Sequence, residues 1–454
     1  MTVKRTDPIR WAGVSMAIVL TVAACGGAAT SAPPARVAAS TPAASASASP
    51  ESAAPSEKIG GSVSLLGPWG GEQTEALNQV LAPFEERTGI TVNYTGSTDL
   101  TNLLRTGVDS GTPPDVADLP SPGILRGYAE EGALIELDDI IDASYKADTS
   151  KGVVDIGVVN GKTYGIFFLG SIKGLIWYDP KAYAGGAPTG WDDLASKATA
   201  AAAAVAGGKA KPWCVAVSSD AATGWPATDW IEDFLLRQSG PDAYDQWVAG
   251  TLTWSSPEVR RAFESYGSVV SPDAVYGGPS TVLTTPFADG GNPLFTDPPG
   301  CIFHHQASWM SSLFVQQGGA KEGDFDYFPF PDIEPAYSGS VVGAGDYMAV
   351  FKDTPQSRAL IAYLATPEAQ SIWVGIGGQL SGNRTVTNYP DELLARSGEV
   401  LANATTFRFD GSDLMPQAML QAFWTGVLDY TKNQSTLDEV LSKLDEAQAS
   451  AYRS

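Results

Sequence analysis

Tryptophans and acidic residues recur in this sequence where predicted strands end and loops begin, and they are its clearest candidates for chemistry. Trp69 and Glu72 follow the first predicted strand, and Asp118 lies at the end of the third. A carboxylate can accept hydrogen bonds from two hydroxyl groups, and the C–H face of a polyol packs well on an aromatic ring. These residue types therefore suit a neutral, hydroxyl-rich ligand. A surface tryptophan, a helix N-terminal glutamate and a turn aspartate are the alternative interpretations.

Further candidates of the same types stand in the second half of the chain. Trp225 and Asp229 are expected in a loop before an amphipathic helix, and Trp309 follows a short predicted strand. The chain contains 12 tryptophans, so packing in the core is the alternative interpretation for each of them.

Two other segments add candidates for lining a cleft. Gly345 and Asp346 are expected in a loop that enters a strand, where they would offer a backbone amide and a carboxylate. Phe168 lies in an extended apolar stretch, Ile166–Phe168, and would offer an aromatic surface.

The sequence offers little support for catalysis. His304 and His305 are its only histidines, and neighbours on a strand point to opposite faces, so they cannot bind one metal ion together. The serine-hydrolase pattern G-x-S-x-G does not occur. We therefore predict a protein that is not an enzyme and that has no metal site and no cofactor. A secreted glycoside hydrolase is the main alternative, because carboxylates and tryptophans would serve that chemistry too.

Length and charge bound the remaining possibilities. The chain has 454 residues, which predicts two folded units with appendages. It carries 28 lysines and arginines against 51 aspartates and glutamates, a formal net charge of −23. Such a surface repels phosphate backbones, so nucleic acid is not an expected partner.

The N-terminal segment predicts export. Lys4, Arg5 and Arg10 precede an apolar run over residues 11–24 that is too short to span a bilayer, as in a secretory signal. The run ends in Val22–Gly26, which resembles the bacterial lipobox, so residues 1–24 are the predicted signal peptide and Cys25 the lipidated residue. Residues 25–58 form a predicted Ala/Ser/Pro-rich tether on the outer face of the cytoplasmic membrane. A plain signal peptide is the alternative.

Two cysteines remain after Cys25 is assigned to the anchor. Cys214 and Cys301 are an even pair in a chain expected to fold in an oxidising compartment, so a disulfide is predicted between them. Two buried free thiols are the alternative.

The order of local patterns predicts an α/β protein. A strand over Ser62–Leu66, a helix up to Thr88 and two further strands indicate a parallel sheet with crossover helices. Thr354 and Thr366 each precede a proline and predict helix starts, and Thr436 predicts a capping box for the last helix. In such sheets ligands meet the loops at the carboxyl ends of the strands.

Several segments, taken in order, resemble the extracellular solute-binding protein family of ATP-binding-cassette (ABC) carbohydrate importers, the maltose-binding-protein-like proteins. They are Trp69 with Ala82–Val92, Pro113–Val116, Asn160–Ile166 leading to Ile176–Asp179, Ala187–Leu194, Leu364–Gln370 and Ala422–Val427. Within that family, Thr223–Asp233 is similar to proteins that serve α-glucoside uptake.

The resemblance implies two α/β lobes joined by a hinge, each lobe a mostly parallel sheet flanked by helices. Lobe one would comprise residues 59–166 and 340–390, and lobe two residues 167–339 and 391–454. In the family, aromatic residues matching Trp309 and Trp424 stack on the sugar. The implied function is capture of a sugar, an oligosaccharide or α-glucoside, by a monomer that delivers it to transmembrane permease subunits. The carboxylates and arginine of maltose-binding protein are not all matched, which leaves the identity of the sugar open. A binding protein for a non-sugar polar solute is a further alternative.

Overall fold

The structure is a computed structural model that describes residues 58–453 except residues 98, 120 and 206 and the side chain of Glu72. The predicted signal peptide, Cys25 and the tether up to residue 57 lie outside the described residues. No helix in the described part combines the length and the apolar composition needed to cross a bilayer.

Helices make up much of the described chain. In chain order they are α1 Glu72–Thr88, α2 Leu100–Asp109, α3 Pro122–Glu130, α4 Ala143–Asp148, α5 Lys151–Ile156, α6 Trp191–Ala204, α7 Trp225–Val248, α8 Pro257–Val269, α9 Gly278–Thr284, α10 Met310–Gln316, α11 Pro355–Leu364, α12 Pro367–Ile376, α13 Glu392–Ala402, α14 Gln417–Lys432 and α15 Leu437–Ala451.

The strands lie between these helices. They are β1 Ser62–Gly67, β2 Thr91–Gly96, β3 Val116–Leu119, β4 Val158–Val159, β5 Lys162–Thr163, β6 Gly165–Ile172, β7 Leu175–Tyr178, β8 Lys211–Cys214, β9 Cys301–Gln306, β10 Asp326–Pro329, β11 Ser340–Val350 and β12 Thr406–Phe409.

The first sheet has the strand order β12-β11-β3-β1-β2, with β6 also paired to β11. Strands β1, β2 and β3 pair in parallel, as the sequence predicts, and β11 pairs in parallel with β12. Strand β11 runs antiparallel to β3 and β6. The long strand β11 therefore joins the N-terminal strands to β6 and to β12.

The second sheet has the order β10-β7-β9-β8. The prediction of two mostly parallel sheets is wrong here, because among the described strands only β8 and β9 pair in parallel. Strand β7 runs opposite to its neighbours, since it enters directly from β6 of the first sheet through Lys173 and Gly174. A third, two-stranded sheet pairs β4 with β5. The mixed α/β class is confirmed.

The boundaries of the two lobes stay a prediction. Residues 173 and 174 connect the two sheets in one direction, and the segment between β10 and β11 returns to the first sheet. Strand β12, from the stretch assigned to lobe two, is hydrogen-bonded to β11 of the first sheet.

Local sequence signals fix several element ends. Thr354 caps α11 through a reciprocal bond with Ser357, and the Thr366 side chain accepts from the backbone N–H of Ala369 at the start of α12. Helix α15 begins after Thr436 as predicted, but the Thr436 side chain makes no capping hydrogen bond.

A disulfide joins Cys214 at the end of β8 to Cys301 at the start of β9, as predicted. Both cysteines are buried in neighbouring strands of the second sheet. The bridge therefore ties the two ends of a segment that contains α7, α8 and α9.

Candidate functional site

Two predicted acidic residues meet in the first sheet, and we call Asp118 and Asp346 the carboxyl pair. Asp118 lies in β3 opposite Met348 of β11, and Asp346 stands two residues before Met348 on the same strand face. Asp118 is fully buried and neither of its carboxylate oxygens accepts a well-formed hydrogen bond from the described residues. Its carboxyl group instead approaches that of Asp346, which is half-buried.

The carboxyl pair retains protons more strongly than ordinary carboxylates do. Burial and the neighbouring charge of Asp346 raise the pKa of Asp118 well above its usual range. Burial likewise raises the pKa of Asp346 to about 7. No lysine or arginine compensates either group within the described residues. The pair therefore holds a proton near neutral pH.

Gly345 and Asp346 lie in strand β11, so their prediction as loop residues is wrong. The register of β11 against β6 shifts between Asp346 and Tyr347, as in a β-bulge. A Cβ atom at Gly345 would lie 2.3 Å from the Phe167 ring, so only glycine fits this approach. Sequence reasoning took the glycines as a loop signal, whereas they permit close packing of strands.

A second polar group surrounds the link between the sheets, and we call Lys173, Asp229, Glu232 and Asp410 the lysine cluster. The Lys173 ammonium lies 2.8 Å from Asp410, which follows β12, and 3.6 Å from Asp229 on α7. One oxygen each of Asp229, Glu232 and Asp410 lie within 4.8 Å of one another. A lysine is therefore set among three buried carboxylates.

Charges in the lysine cluster are unequally compensated. Burial opposes the charge on Lys173, but Asp229 and Asp410 outweigh it and raise the pKa of Lys173 well above its usual value. Burial also opposes the charge on Asp410, but the nearby Lys173 lowers its pKa. Burial raises the pKa of Asp229 despite Lys173, because the ammonium lies closer to Asp410. Lys173 and Asp410 are thus the ion pair.

Glu232 is satisfied by backbone donors. Its carboxylate accepts hydrogen bonds from the N–H groups of Gly411 at 2.7 Å and Ser412 at 3.1 Å, and from the Tyr244 hydroxyl at 3.0 Å. Asp229, one helical turn earlier, accepts no hydrogen bond from the described residues. Asp229 therefore has unused acceptor capacity, whereas Glu232 fixes the segment after β12 to α7.

Three aromatic rings lie beside the lysine cluster. Trp225 contacts Phe287, with ring centroids 5.1 Å apart, and Trp309, with centroids 6.0 Å apart. The Lys173 ammonium lies 4.9 Å from the centroid of the Trp225 ring. Trp225 and Trp309 are half-buried, so parts of both rings remain accessible. These rings provide an aromatic surface next to Asp229.

Trp424 joins this region through α14. A Cβ atom at Gly224 would lie 3.0 Å from Cβ of Trp424, so α14 packs against the residue directly before Trp225. Trp424 is half-buried, and its indole Nε1 is buried without a hydrogen-bond partner among the described residues. The Trp424 indole N–H is therefore a donor without a partner among the described residues.

Helix α7 begins earlier than the sequence suggested. Trp225 is its first residue and Asp229 lies inside it, so their prediction as loop residues is wrong. Pro226 is compatible with the first turn because a missing N–H leaves no bond unmade there. The first half of the helix, Pro226–Gln238, is buried on all sides, and for this reason it lacks the amphipathic pattern expected.

Trp69 and Phe168 are placed away from the lysine cluster. Both belong to the core of the first sheet, where Trp69 packs on Trp373 at 5.1 Å between centroids and on Phe168 at 6.3 Å. The Tyr94 hydroxyl donates to the Trp69 carbonyl oxygen. Only 3% of Trp69 is exposed, so its contacts are those of a core residue. The backbone of Glu72 begins α1.

The two histidines bond to different partners, as expected for neighbours on a strand. His304 Nδ1 lies 3.0 Å from the Cys214 carbonyl oxygen, and burial lowers the pKa of His304 to about 4. His305 Nε2 lies 2.7 Å from Asp233, which is also paired with Arg237. The Asp233 carboxylate packs against Gly174 in the link between the sheets, because a Cβ atom at Gly174 would lie only 2.3 Å from it.

Sequence reasoning missed Lys173, Asp410 and Phe287. Lys173 follows β6 directly, at the point where the chain leaves the first sheet, and that position was the available signal. Asp410 is 237 residues away in sequence (410 minus 173), and only the pairing of β12 with β11 brings it to Lys173. No local pattern could have joined them.

Known proteins resemble this chain over most of its length. The model of the family described as bacterial extracellular solute-binding protein matches residues 70–371. The osmoprotective compounds-binding protein GgtB of Synechocystis sp. is 36% identical over 376 residues, 81% of this chain and 88% of GgtB. The alpha-glucosides-binding periplasmic protein AglE of Rhizobium meliloti is 36% identical over 397 residues, 84% of this chain and 85% of AglE.

Solved structures share the fold at low sequence identity. The bacterial solute receptor AcbH superposes with a TM-score of 0.74 at 16% identity, covering 87% of this chain and 100% of the receptor. The sugar-binding protein MalE of Xanthomonas citri gives a TM-score of 0.65 at 18% identity, covering 86% and 98%. The two-lobed α/β fold is therefore confirmed, and with the family match and the relatives it follows that the chain belongs to the bacterial extracellular solute-binding protein family.

Proposed function

We propose that this protein is the substrate-binding component of an ABC importer, which captures a sugar between its lobes and delivers it unaltered to a permease. The observation that carries the proposal is the half-buried Trp225 and Trp309 beside Asp229, whose buried carboxylate oxygens have no hydrogen-bond donor among the described residues. An aromatic surface next to an unsatisfied acceptor suits the C–H face and the hydroxyl groups of a sugar.

The relatives narrow the ligand class. AglE is described as binding α-glucosides and GgtB as binding osmoprotective compounds, and each aligns with more than four fifths of this chain. An α-glucoside is therefore the favoured ligand. Trp225, Asp229, Trp309 and Trp424 form the proposed centre of the site.

The carboxyl pair is the proposed second contact region. Asp118 would accept ligand hydroxyl groups, as would Asp346, and Gly345 would offer its backbone amide. Trp69, Glu72 and Phe168 stay predictions, and the side chains of Trp69 and Phe168 pack in the core of the first sheet.

The proposed setting is the outer face of the bacterial cytoplasmic membrane. Lipidation at Cys25 would anchor a monomeric binding protein, and the tether would let it reach the permease subunits. Hinge motion at Lys173–Gly174 would close the lobes on a ligand that contacts both.

Binding and turnover can be tested together on the mature chain. We expect sucrose, trehalose or maltose to raise the melting temperature saturably, because a ligand that binds only the folded state stabilises it. Chromatography of the incubated sugar should recover it unchanged. Released monosaccharide would instead indicate a glycoside hydrolase, and the absence of saturable binding across a panel of sugars would contradict the proposal.

A matched pair of aromatic substitutions locates the site. Trp309→Ala should weaken binding about tenfold, as expected for loss of one aromatic contact. Tyr276→Ala removes an exposed aromatic residue outside the proposed site and should leave the affinity unchanged. Equal affinities for both variants would contradict the assignment of Trp309.

A further inference from the structure

Lys173 occupies a singular position between the two sheets. It directly follows the last residue of β6, and Gly174 separates it from β7. Its backbone N–H donates to the carbonyl oxygen of Val342 in β11 at 3.0 Å. Its ammonium contacts Asp410, which follows β12 of the first sheet, and Asp229 in α7. Only 12% of the side chain is exposed. The ammonium therefore stands where the two halves and the proposed site meet.

The ammonium and Asp229 both have unused hydrogen-bonding capacity. A lysine ammonium carries three N–H donors, and Asp410 at 2.8 Å takes one of them. The distance of 3.6 Å to Asp229 is too long for a good hydrogen bond. Both oxygens of Asp229 are buried without a donor among the described residues. Since buried polar groups are almost always satisfied, this donor and this acceptor require a further hydrogen-bond partner.

One ligand hydroxyl group would provide the missing hydrogen-bond partner for both the Lys173 ammonium and the Asp229 carboxyl group. Its oxygen would accept from the Lys173 ammonium, and its hydrogen would be donated to Asp229. The Trp225 ring lies 4.9 Å from the same ammonium and provides the adjoining surface for a sugar face. A cationic ligand would be repelled by Lys173, and an anionic ligand by the charged Asp410. The arrangement thus favours a neutral polyol.

We propose that Lys173 is a specificity-determining residue of the site, binding one ligand hydroxyl jointly with Asp229. Affinity then depends on the presence of a hydroxyl at one particular ring position. The inference rests on the proposed function, because it requires that the protein binds a sugar.

The test compares sucrose and trehalose with their monodeoxy analogues at C2, C3, C4 and C6 of the glucosyl unit, by isothermal titration calorimetry. For the unaltered protein, one analogue should bind ten- to a hundredfold more weakly than its parent sugar, the range for a hydrogen bond to a charged group. The Lys173→Met variant should bind the parent sugar more weakly by a similar factor. Its affinity for that one analogue should equal the affinity of the unaltered protein for it. Such non-additivity would not arise from a merely structural role.

Lys181→Met is the matched control, because Lys181 is 74% exposed and forms an ion pair with Asp324 at 2.6 Å. It should keep the pattern of the unaltered protein. A Lys173→Met protein with unchanged affinities and an unchanged analogue pattern would overturn the inference and leave the proposed function intact. Binding of no sugar by the unaltered protein would overturn both.

Lys173→Arg is a second variant that keeps the inference testable where Lys173→Met folds poorly. Lys173→Arg keeps the charge but replaces a compact ammonium by a planar guanidinium, so the affinity should fall chiefly through the same hydroxyl position. An unchanged analogue pattern in Lys173→Arg, or equal affinity of the unaltered protein for all analogues, would also overturn the inference.

Discussion

The carboxyl pair and the lysine cluster handle buried acidity in opposite ways. Asp118 and Asp346 lie together without a cation, so burial and mutual repulsion keep a proton on the pair. In the lysine cluster, Lys173 holds Asp410 in the charged form. The carboxyl pair therefore titrates near neutral pH, whereas the charged form of Asp410 depends on a single ammonium.

Both regions are connected through β11. The backbone of β11 binds Lys173 and Asp410 near Val342 and Gly343, and Asp346 lies three residues after Gly343 on the same strand, about 10 Å along it. The difference teaches that buried carboxylates beside the same strand need not share a protonation state. The four predictions below test that difference, beginning with the largest effect.

Lys173→Met, in the lysine cluster, should cause the largest loss of unfolding free energy. Removing the ammonium leaves the charged Asp410 buried without its counter-ion, which costs about 3–5 kcal/mol of unfolding free energy. Urea unfolding at pH 7 measures the loss. The double variant with Asp410→Asn should recover part of it, and equal losses in the single and double variants would contradict the ion pair described.

Gly174→Ala should cost about 1–3 kcal/mol through overpacking. The new Cβ would lie 2.3 Å from a carboxylate oxygen of Asp233, and that side chain is held by His305 and Arg237. Gly127→Ala in α3 is the control, because its Cβ would meet no atom within 4 Å. If both variants unfold at the same urea concentration, Asp233 does not restrain the link between the sheets.

Asp346→Asn should stabilise the protein at alkaline pH. Because the native pKa of Asp346 is raised to about 7, the folded state binds its proton more tightly than the unfolded chain does. The stability of the unaltered protein therefore falls as pH rises from about 4 through 7. The variant should be more stable by about 1–2 kcal/mol at pH 8 and should lose this advantage near pH 4. Thermal unfolding at both pH values measures it, and an equal difference at both would contradict the raised pKa.

Lys181→Met should have the smallest effect on the unfolding free energy, within the error of the measurement. The pair of Lys181 with Asp324 is largely solvated, so water and salt screen it. The same substitution thus separates a surface ion pair from the buried one at Lys173. A loss similar to that of Lys173→Met in urea unfolding would show that burial is not the cause of the difference.

Local signals in the sequence predicted local structure well. Thr354 and Thr366 cap their helices as expected, because a hydroxyl and a following proline suffice to define a first turn. The disulfide was predictable from cysteine number and compartment. Asp118 was expected at the end of the third strand and lies in β3.

Tertiary context decided what the sequence could not. Asp229 lies inside a helix buried on all sides, where no amphipathic pattern marks the helix start. Gly345 and Asp346 extend a strand because Phe167 packs where a side chain would stand. The lysine cluster depends on contacts between distant segments, which composition and spacing do not encode.

The bridge between Cys214 and Cys301 turns the intervening stretch into a closed ring of covalent chain, with the two cysteines 87 residues apart in sequence. Trp225 and Asp229 both lie on that ring. A protease that cuts it once leaves a nicked molecule whose fragments separate on a gel only after a reducing agent is added. Within an oxidising envelope, a single cleavage therefore cannot detach the indole and carboxylate from the rest of the receptor.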